Sequence, residues 1–203
     1  MHKPKDPLSL FTIAVDKAQR SLLGIYEFSG DPECIYRLSI NKAPRDIALP
    51  DGTEIRKGES VGIVHLWGEH MPAIPASGVN MAWASRMARV LEKSASLLAQ
   101  HALREKSLQS IPAFGNEVFL LHTEATDRLL KRIGYSVSEC TKRDTLDGRI
   151  RTRVVRLWTW LLRRAFNPES ARGIAPADLQ CCAIWISRRA LLEKYGVPAK
   201  FRD

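Results

Sequence analysis

The stretch SVGIVHLWGEH, residues 60–70, has the clearest strand pattern in the chain. In an extended backbone, successive side chains point to opposite faces. One face of this stretch carries Val61, Ile63, His65 and Trp67. The pattern predicts a strand that ends at Trp67 and a loop that begins with Glu69 and His70.

The sequence before this strand predicts a small antiparallel β region. The segment IYRLSI (35–40) is typical of a strand, and a shorter one is expected over residues 54–56. Turn residues separate these strands at Pro50-Asp51-Gly52 and at Lys57-Gly58. Short strands joined by such turns commonly pair as antiparallel neighbours.

The sequence after the strand predicts helices mixed with strands. A long amphipathic helix is expected over residues 80–106. A strand at 116–123, a helix at 124–133 ended by Gly134, and a strand at 135–140 then form a β-α-β segment.

A basic amphipathic helix is expected over residues 149–166, and a last strand over 182–187. Ser187 is expected to cap a final helix that ends at Gly196. The fold class is therefore α+β: a small antiparallel β region packed with a long central helix, the β-α-β segment and the basic helix.

The N-terminus predicts a further amphipathic helix within residues 1–30, capped by Asp6 and opened by Pro7. Its apolar residues recur at helical spacing: Leu10, Phe11, Ala14, Ala18, Leu22 and Ile25. Asp16 and Lys17 interrupt the apolar run and no small-residue cleavage site follows, which argues against a signal peptide. We therefore expect a cytoplasmic protein.

The length and composition fit one globular domain over residues 1–203. The chain is 45% hydrophobic and 26% charged, which argues against wholesale disorder. No apolar run approaches the roughly 20 residues that cross a bilayer. The net charge of +9 is uneven, with +1 on residues 1–100 and +8 on residues 101–203. An anionic partner is thus expected at the C-terminal half: nucleic acid, anionic lipid or a phosphorylated substrate.

The four cysteines are Cys34, Cys140, Cys181 and Cys182. None belongs to a C-x-x-C pair, so a zinc ribbon or a secreted disulfide framework is not expected. The favoured interpretation is buried, reduced thiols.

The end of the 60–70 strand is the candidate site. In the functional interpretation, His65 works as a general acid or base and Glu69 orients an imidazole, with His70 beside them. In the structural interpretation, His65 is a hydrogen-bonded core histidine and Trp67 packs in the core. A metal would need another ligand, which His122 could supply only if the fold brought it close. We expect no metal and no cofactor.

The basic helix, RIRTRVVRLWTWLLRRAF, holds six arginines and no acid. A helical projection places one arginine stripe around Trp160: Arg149, Arg153, Arg156, Arg163 and Arg164. The opposite side is apolar: Ile150, Val154, Val155, Leu157, Trp158, Leu161, Leu162 and Ala165. Such a helix suits a membrane surface, an anionic ligand, or an ordinary surface whose arginines pair with acids elsewhere.

Three separated segments resemble the bacterial YkoP-like family: DGTEIRKGESVGIVHLWGEHMP, LWTWLLRRAFNP and IWISRRALLEKYG. The positions that match the family's motifs are Asp51, Gly52, Ile55, Gly58, Val61, His65, Glu69, Ser187, Arg188, Leu191, Lys194 and Tyr195. Glu59, Val64 and Gly68 depart from them, and Gly68 stands where the family has Asn. The resemblance covers residues 35–196 and implies a link to envelope or lipid metabolism, because the family's domain also occurs joined to polysaccharide-deacetylase-like domains.

Three functions follow as hypotheses. The first is an accessory or ligand-binding module, peripheral at the inner membrane, that binds anionic lipid or an envelope-pathway protein through the arginine stripe, with Trp67 as a further ligand contact. The second is a small enzyme that uses His65 and Glu69 on an anionic substrate. The third is nucleic-acid binding by the basic helix, which ranks lower because no recognised nucleic-acid-binding motif is present. The first is preferred.

Overall fold

Five strands form one sheet at the centre of the protein. The computed structural model describes residues 6–75, 77–140 and 146–196; the ends of the predicted domain, 1–5 and 197–203, lie outside the described residues. The sheet strands are β1 (Tyr36–Lys42), β4 (Ser60–Leu66), β5 (Ala113–Leu120), β6 (Ser136–Glu139) and β7 (Gln180–Ser187). Their order is β1-β4-β5-β7-β6, and a separate hairpin pairs β2 (Ile47–Ala48) with β3 (Glu54–Ile55).

The α+β class predicted from the sequence is confirmed. The strands of the predicted antiparallel β region do not stand apart, because β4 also pairs with β5. That pairing is parallel, whereas β1 with β4, β5 with β7 and β6 with β7 are antiparallel. The long helix between β4 and β5 provides the crossover that parallel neighbours require.

The helices are α1 (Pro7–Leu22), α2 (Met81–Arg104), α3 (Glu124–Ile133), α4 (Leu146–Phe166) and α5 (Arg188–Tyr195). Several ends agree with the expected caps. Asp6 accepts a hydrogen bond from the Ser9 amide, and Ser187 accepts one from Ala190. Gly134 ends α3 at a φ of 106°, a conformation that glycine adopts without strain.

The two faces of the sheet have different covers. Helices α2, α3 and α5 pack on one face and form the main apolar core, around Leu38, Leu98, Phe114, Ile186 and Leu191. The β2–β3 hairpin packs on the other face, together with α4. Helix α1 packs on α4 rather than on the main core. Because successive residues of a strand alternate, His65 and Arg37 point to the face that carries α4.

Helix α1 turns its apolar side outward. The helix forms as predicted, but its buried residues are Ser9 and Thr12. Phe11 is 64% exposed and Leu22 is 85% exposed. The apolar stripe that the sequence places on one side of α1 is therefore on the surface. Among the described helices, none combines the length and the apolar character that a bilayer crossing requires.

The expectation of reduced thiols is wrong for two of the four cysteines. Glu139 pairs with Cys182 in the β6–β7 ladder, so Cys140 lies opposite Cys181. Their sulfur atoms form a disulfide across 41 residues of sequence. Cys34 and Cys182 are free and buried, as expected. The pairing depends on strand register, which the spacing of the cysteines does not reveal.

Reduction of this disulfide is expected to lower the free energy of unfolding by about 2–4 kcal/mol, because the bond restricts the unfolded chain. Urea unfolding with and without reductant, in the presence of a chelator, measures the difference. The C140S/C181S variant is the control and should not respond to reductant. Equal stability of the oxidised and reduced natural chain would contradict the expectation.

Candidate functional site

The strand end at residues 67–70 packs against the end of α4. A short 3₁₀ turn, Gly68–His70, follows β4. A Cβ at position 68 would lie 2.6 Å from Cδ2 of Phe166, so only glycine fits this approach. The contact accounts for a glycine at position 68 in this chain.

His65 is bonded to a buried hydroxyl. Its Nε2 lies 3.0 Å from Oγ of Ser39, and the same Oγ accepts a hydrogen bond from Nδ2 of Asn41. Ser39 is only 1% exposed. Burial lowers the pKa of His65 to about 4, so its imidazole is neutral near pH 7. The arrangement is that of a half-buried histidine bonded to a buried hydroxyl.

Glu69 pairs with arginines instead of histidines. Its carboxylate accepts a hydrogen bond from Nη2 of Arg20 at 3.1 Å, and its other oxygen lies 3.6 Å from Nη1 of Arg37. Within the described part of the chain it forms no hydrogen bond to His65 or His70. The expectation that Glu69 orients an imidazole is therefore not met by the geometry.

Trp67 lies between a cation and an imidazole. The guanidinium carbon of Arg37 is 4.1 Å from the centre of the indole. His70 stacks with the indole at 3.6 Å between ring centres. His70 also donates a hydrogen bond from Nδ1 to the Cys34 carbonyl, at 2.9 Å. Trp67 and His70 thus hold the turn against Arg37 and the Cys34 carbonyl.

Arg37 holds this cluster together. Its side chain points inward from β1, and the residue is 5% exposed. The guanidinium donates to Glu27 at 3.0 Å, besides its ion pair with Glu69 and its contact with Trp67. The sequence reasoning missed this residue. A charged residue in the middle of the apolar segment IYRLSI was the available signal.

The inward side of α1 completes an ionic network. Arg20 links Asp16, 3.1 Å away, with Glu69. Burial raises the pKa of Asp16; Arg20 opposes this rise and Glu69 adds to it. The polar side of α1 is buried because it meets these charges.

His122 does not join the strand-end histidines. Its Nε2 lies 3.7 Å from Asp127 at the start of α3. The described residues contain no cluster of three potential metal ligands that includes a histidine.

The arginines of α4 fall into two groups. Arg149, Arg153 and Arg164 are exposed, whereas Arg156 and Arg163 are half-buried. The Arg156 guanidinium lies 5.5 Å from the Phe119 ring centre. Arg163 donates to the Ser170 carbonyl at 2.8 Å, and burial lowers its pKa. The exposed group, to which Arg151 also belongs, presents its charge to solvent.

Trp160 is half-buried beneath the end of the arginine stripe. Its Nε1 donates to the Ile174 carbonyl at 2.8 Å, and the Arg164 guanidinium lies 5.9 Å from its ring centre. The Arg164 guanidinium thus lies near the outer limit of a cation–π contact with Trp160. The backbone hydrogen bond ties Trp160 to the segment that follows α4.

The apolar side of α4 is only partly covered. Ala165 is buried, and three larger residues are half-buried: Trp158, Leu161 and Leu162. Four residues of the first half are exposed: Ile150, Val154, Val155 and Leu157. The first half of α4 therefore presents apolar side chains and arginines to the outside together.

Stability is expected to depend on pH through His65. Its ordinary pKa is 6.5 and its folded pKa is about 4, so below pH 6.5 the unfolded chain binds a proton that the folded chain does not. The free energy of unfolding should fall by about 2 kcal/mol from pH 7 to pH 5. The H65Q variant should lose this part of the pH dependence. Urea unfolding at both pH values measures the change. If the free energy of unfolding falls equally from pH 7 to pH 5 in the natural chain and in H65Q, this assignment is contradicted.

Removal of the Glu69 charge is expected to be costly. E69Q should lower the free energy of unfolding by about 2 kcal/mol, because Arg37 is buried and loses a counter-charge. The matched control is E27Q, which removes a half-exposed partner of the same guanidinium and should cost less than about 1 kcal/mol. Chemical denaturation measures both. A larger effect of E27Q would be inconsistent with this ranking.

Comparison of the chain with protein-family models, with curated proteins and with solved structures found no match. The resemblance to the YkoP-like family therefore stays a prediction based on its motifs.

Proposed function

We propose that this protein binds the surface of an anionic membrane through the outward sides of α4 and α1. The observation that carries the proposal is the joint exposure of apolar and cationic side chains on the first half of α4. Ile150 is 53% exposed and Val154 is 59% exposed. Arg151 and Arg153, their neighbours in sequence, are also exposed.

The order of these residues around α4 suits an interfacial helix. At about 100° per residue, Ile150, Val154 and Leu157 fall within an arc of roughly 60°. Arg153 and Arg164 border this arc on one side, and Arg151 borders it on the other. Apolar residues flanked by arginines can enter the lipid headgroup region while the guanidinium groups meet lipid phosphates.

Helix α1 adds exposed apolar side chains to those of α4. It packs on α4 and exposes Leu10, Phe11 and Leu22, with Lys17 between them in sequence. Exposed apolar side chains on two helices that pack together are more than the scattered single residues of an ordinary surface. The occupant that fits both the apolar residues and the arginines is anionic lipid.

The geometry supports this function better than its alternatives. Nucleic acid would use the exposed arginines but not the apolar arc between them, because phosphate contacts are polar. Acid–base catalysis by His65 and Glu69 has less support, since one is bonded to a buried hydroxyl and the other is held by arginines. A link to envelope or lipid metabolism, through an envelope-pathway protein, rests on the YkoP-like resemblance and is part of this proposal.

Flotation with vesicles tests the proposal. The protein should bind vesicles of mixed phosphatidylcholine and phosphatidylglycerol and not vesicles of phosphatidylcholine alone. R149E/R153E should weaken binding by at least about tenfold, because each arginine near the surface contributes about 1 kcal/mol. The matched control is R86E/R89E, which makes the same charge change at exposed positions of α2, on the other side of the sheet.

A second variant separates the apolar contribution from the charge. V154N/L157Q keeps every arginine and changes two exposed side chains, so it should fold normally and bind anionic vesicles more weakly. The proposal fails if neither vesicle type binds, or if R86E/R89E weakens binding as much as R149E/R153E. A dimer in light scattering that V154N/L157Q dissociates, without vesicle binding, would instead identify this face as an interface between two copies.

A further inference from the structure

Three side chains that can bind a metal ion meet near one end of the sheet. Glu117 lies on β5, Cys181 lies on β7, and Cys140 follows β6. Strand β7 pairs with both β5 and β6, and the register turns all three side chains to the same face. One potential ligand atom from each residue lies within 4.8 Å of the other two.

We propose that Cys140 and Cys181 form a reversible redox pair whose reduced form, with Glu117, binds a thiophilic divalent cation such as Zn²⁺. In the disulfide state the two sulfurs are bonded to each other, so the site is closed. A dithiol reductant opens it: the S–S bond breaks, the two sulfurs gain two electrons and two protons, and the reductant becomes a disulfide. Cation binding then releases the two thiol protons, and both thiolates become ligands.

The charges of the site suit a divalent cation. Two thiolates and one carboxylate carry three negative charges, which Zn²⁺ and one neighbouring arginine would balance. Arg45 supplies that arginine, since its Nε lies 3.0 Å from Oε1 of Glu117. A carboxylate can accept from a guanidinium and coordinate a cation at the same time.

The ligand types and their separation suit zinc. Zinc bonds of about 2.3 Å to sulfur and about 2.0 Å to oxygen place tetrahedral ligand atoms about 3.5–3.8 Å apart. The two sulfurs, bonded to each other in the disulfide, would separate to about 3.8 Å after reduction, and a carboxylate oxygen of Glu117 already lies within 4.8 Å of both. Three protein ligands leave a fourth position for water or a substrate, as in catalytic zinc sites.

The cysteines of the disulfide are more exposed than the two free cysteines. Cys140 and Cys181 are half-buried, and an accessible disulfide is more readily reduced than an enclosed one. Cys34 and Cys182 are buried and enclosed from solvent. Cys182 also points to the face of β7 opposite Cys181, so it is not part of the site.

Equilibrium dialysis of the full chain against Zn²⁺ tests the proposal, with bound metal counted by mass spectrometry. The reduced protein should bind one Zn²⁺, and the oxidised protein should bind none. With Co²⁺ as the probe, the reduced protein should show thiolate-to-cobalt charge-transfer absorption. This comparison of two redox states needs no mutation, so a folding defect cannot account for the result.

Variants then assign the ligands. C140S should abolish binding, and E117Q should weaken it by at least about tenfold. The matched control is E139Q, an exposed glutamate next to Cys140 that lies on the opposite face of the sheet and should bind as the natural chain does. Equal binding by oxidised and reduced protein would overturn the proposal. So would full binding by C140S, or equal affinities of E117Q and E139Q. Vesicle binding plays no part in this test, so its result is independent of the proposed membrane function.

Discussion

The buried guanidinium of Arg37 constrains one whole side of this protein. Removing a cation from water costs several kcal/mol unless partners replace the lost hydration. Arg37 obtains three such partners from two parts of the chain: Glu27 before β1, and Glu69 and the indole face of Trp67 after β4. The 3₁₀ turn at Gly68–His70 is consequently fixed in place, with His70 stacked on the far side of Trp67.

The orientation of α1 follows from this cluster. Because Glu69 also accepts from Arg20, the polar side of α1 faces the turn after β4. Its apolar residues are then left outside, where Phe11 and Leu22 meet solvent. An ionic network in the interior thus creates an apolar surface on the exterior. Helix α1 packs on α4, whose first half also exposes apolar residues and arginines. This joint exposure supports the proposed contact with an anionic lipid surface.

The strand end that looks most like a catalytic site is instead occupied by structural interactions. His65 is neutral and bonded to Ser39, and the carboxylate of Glu69 is engaged by two arginines. Some arginines of α4 likewise have structural contacts, whereas others are exposed. Arg156 and Arg163 contact the protein itself, whereas Arg149 and Arg153 extend into solvent. The proposed lipid contact of this helix therefore depends on its exposed arginines.

The sequence by itself predicted the helices and most of the strands, because periodicity and caps are local; it did not predict β2, and it placed β5 three residues too late. The bounds of α3, the caps Asp6 and Ser187 and the α+β class all follow from neighbouring residues. It also identified the strand that carries His65, although this strand ends at Leu66, one residue before the predicted end at Trp67. Only the tertiary structure decided which side of α1 is buried and which partners Glu69 takes, because these depend on a charge at Arg37 that lies far away in sequence. The pairing of Cys140 with Cys181 was decided in the same way, by the register of two strands.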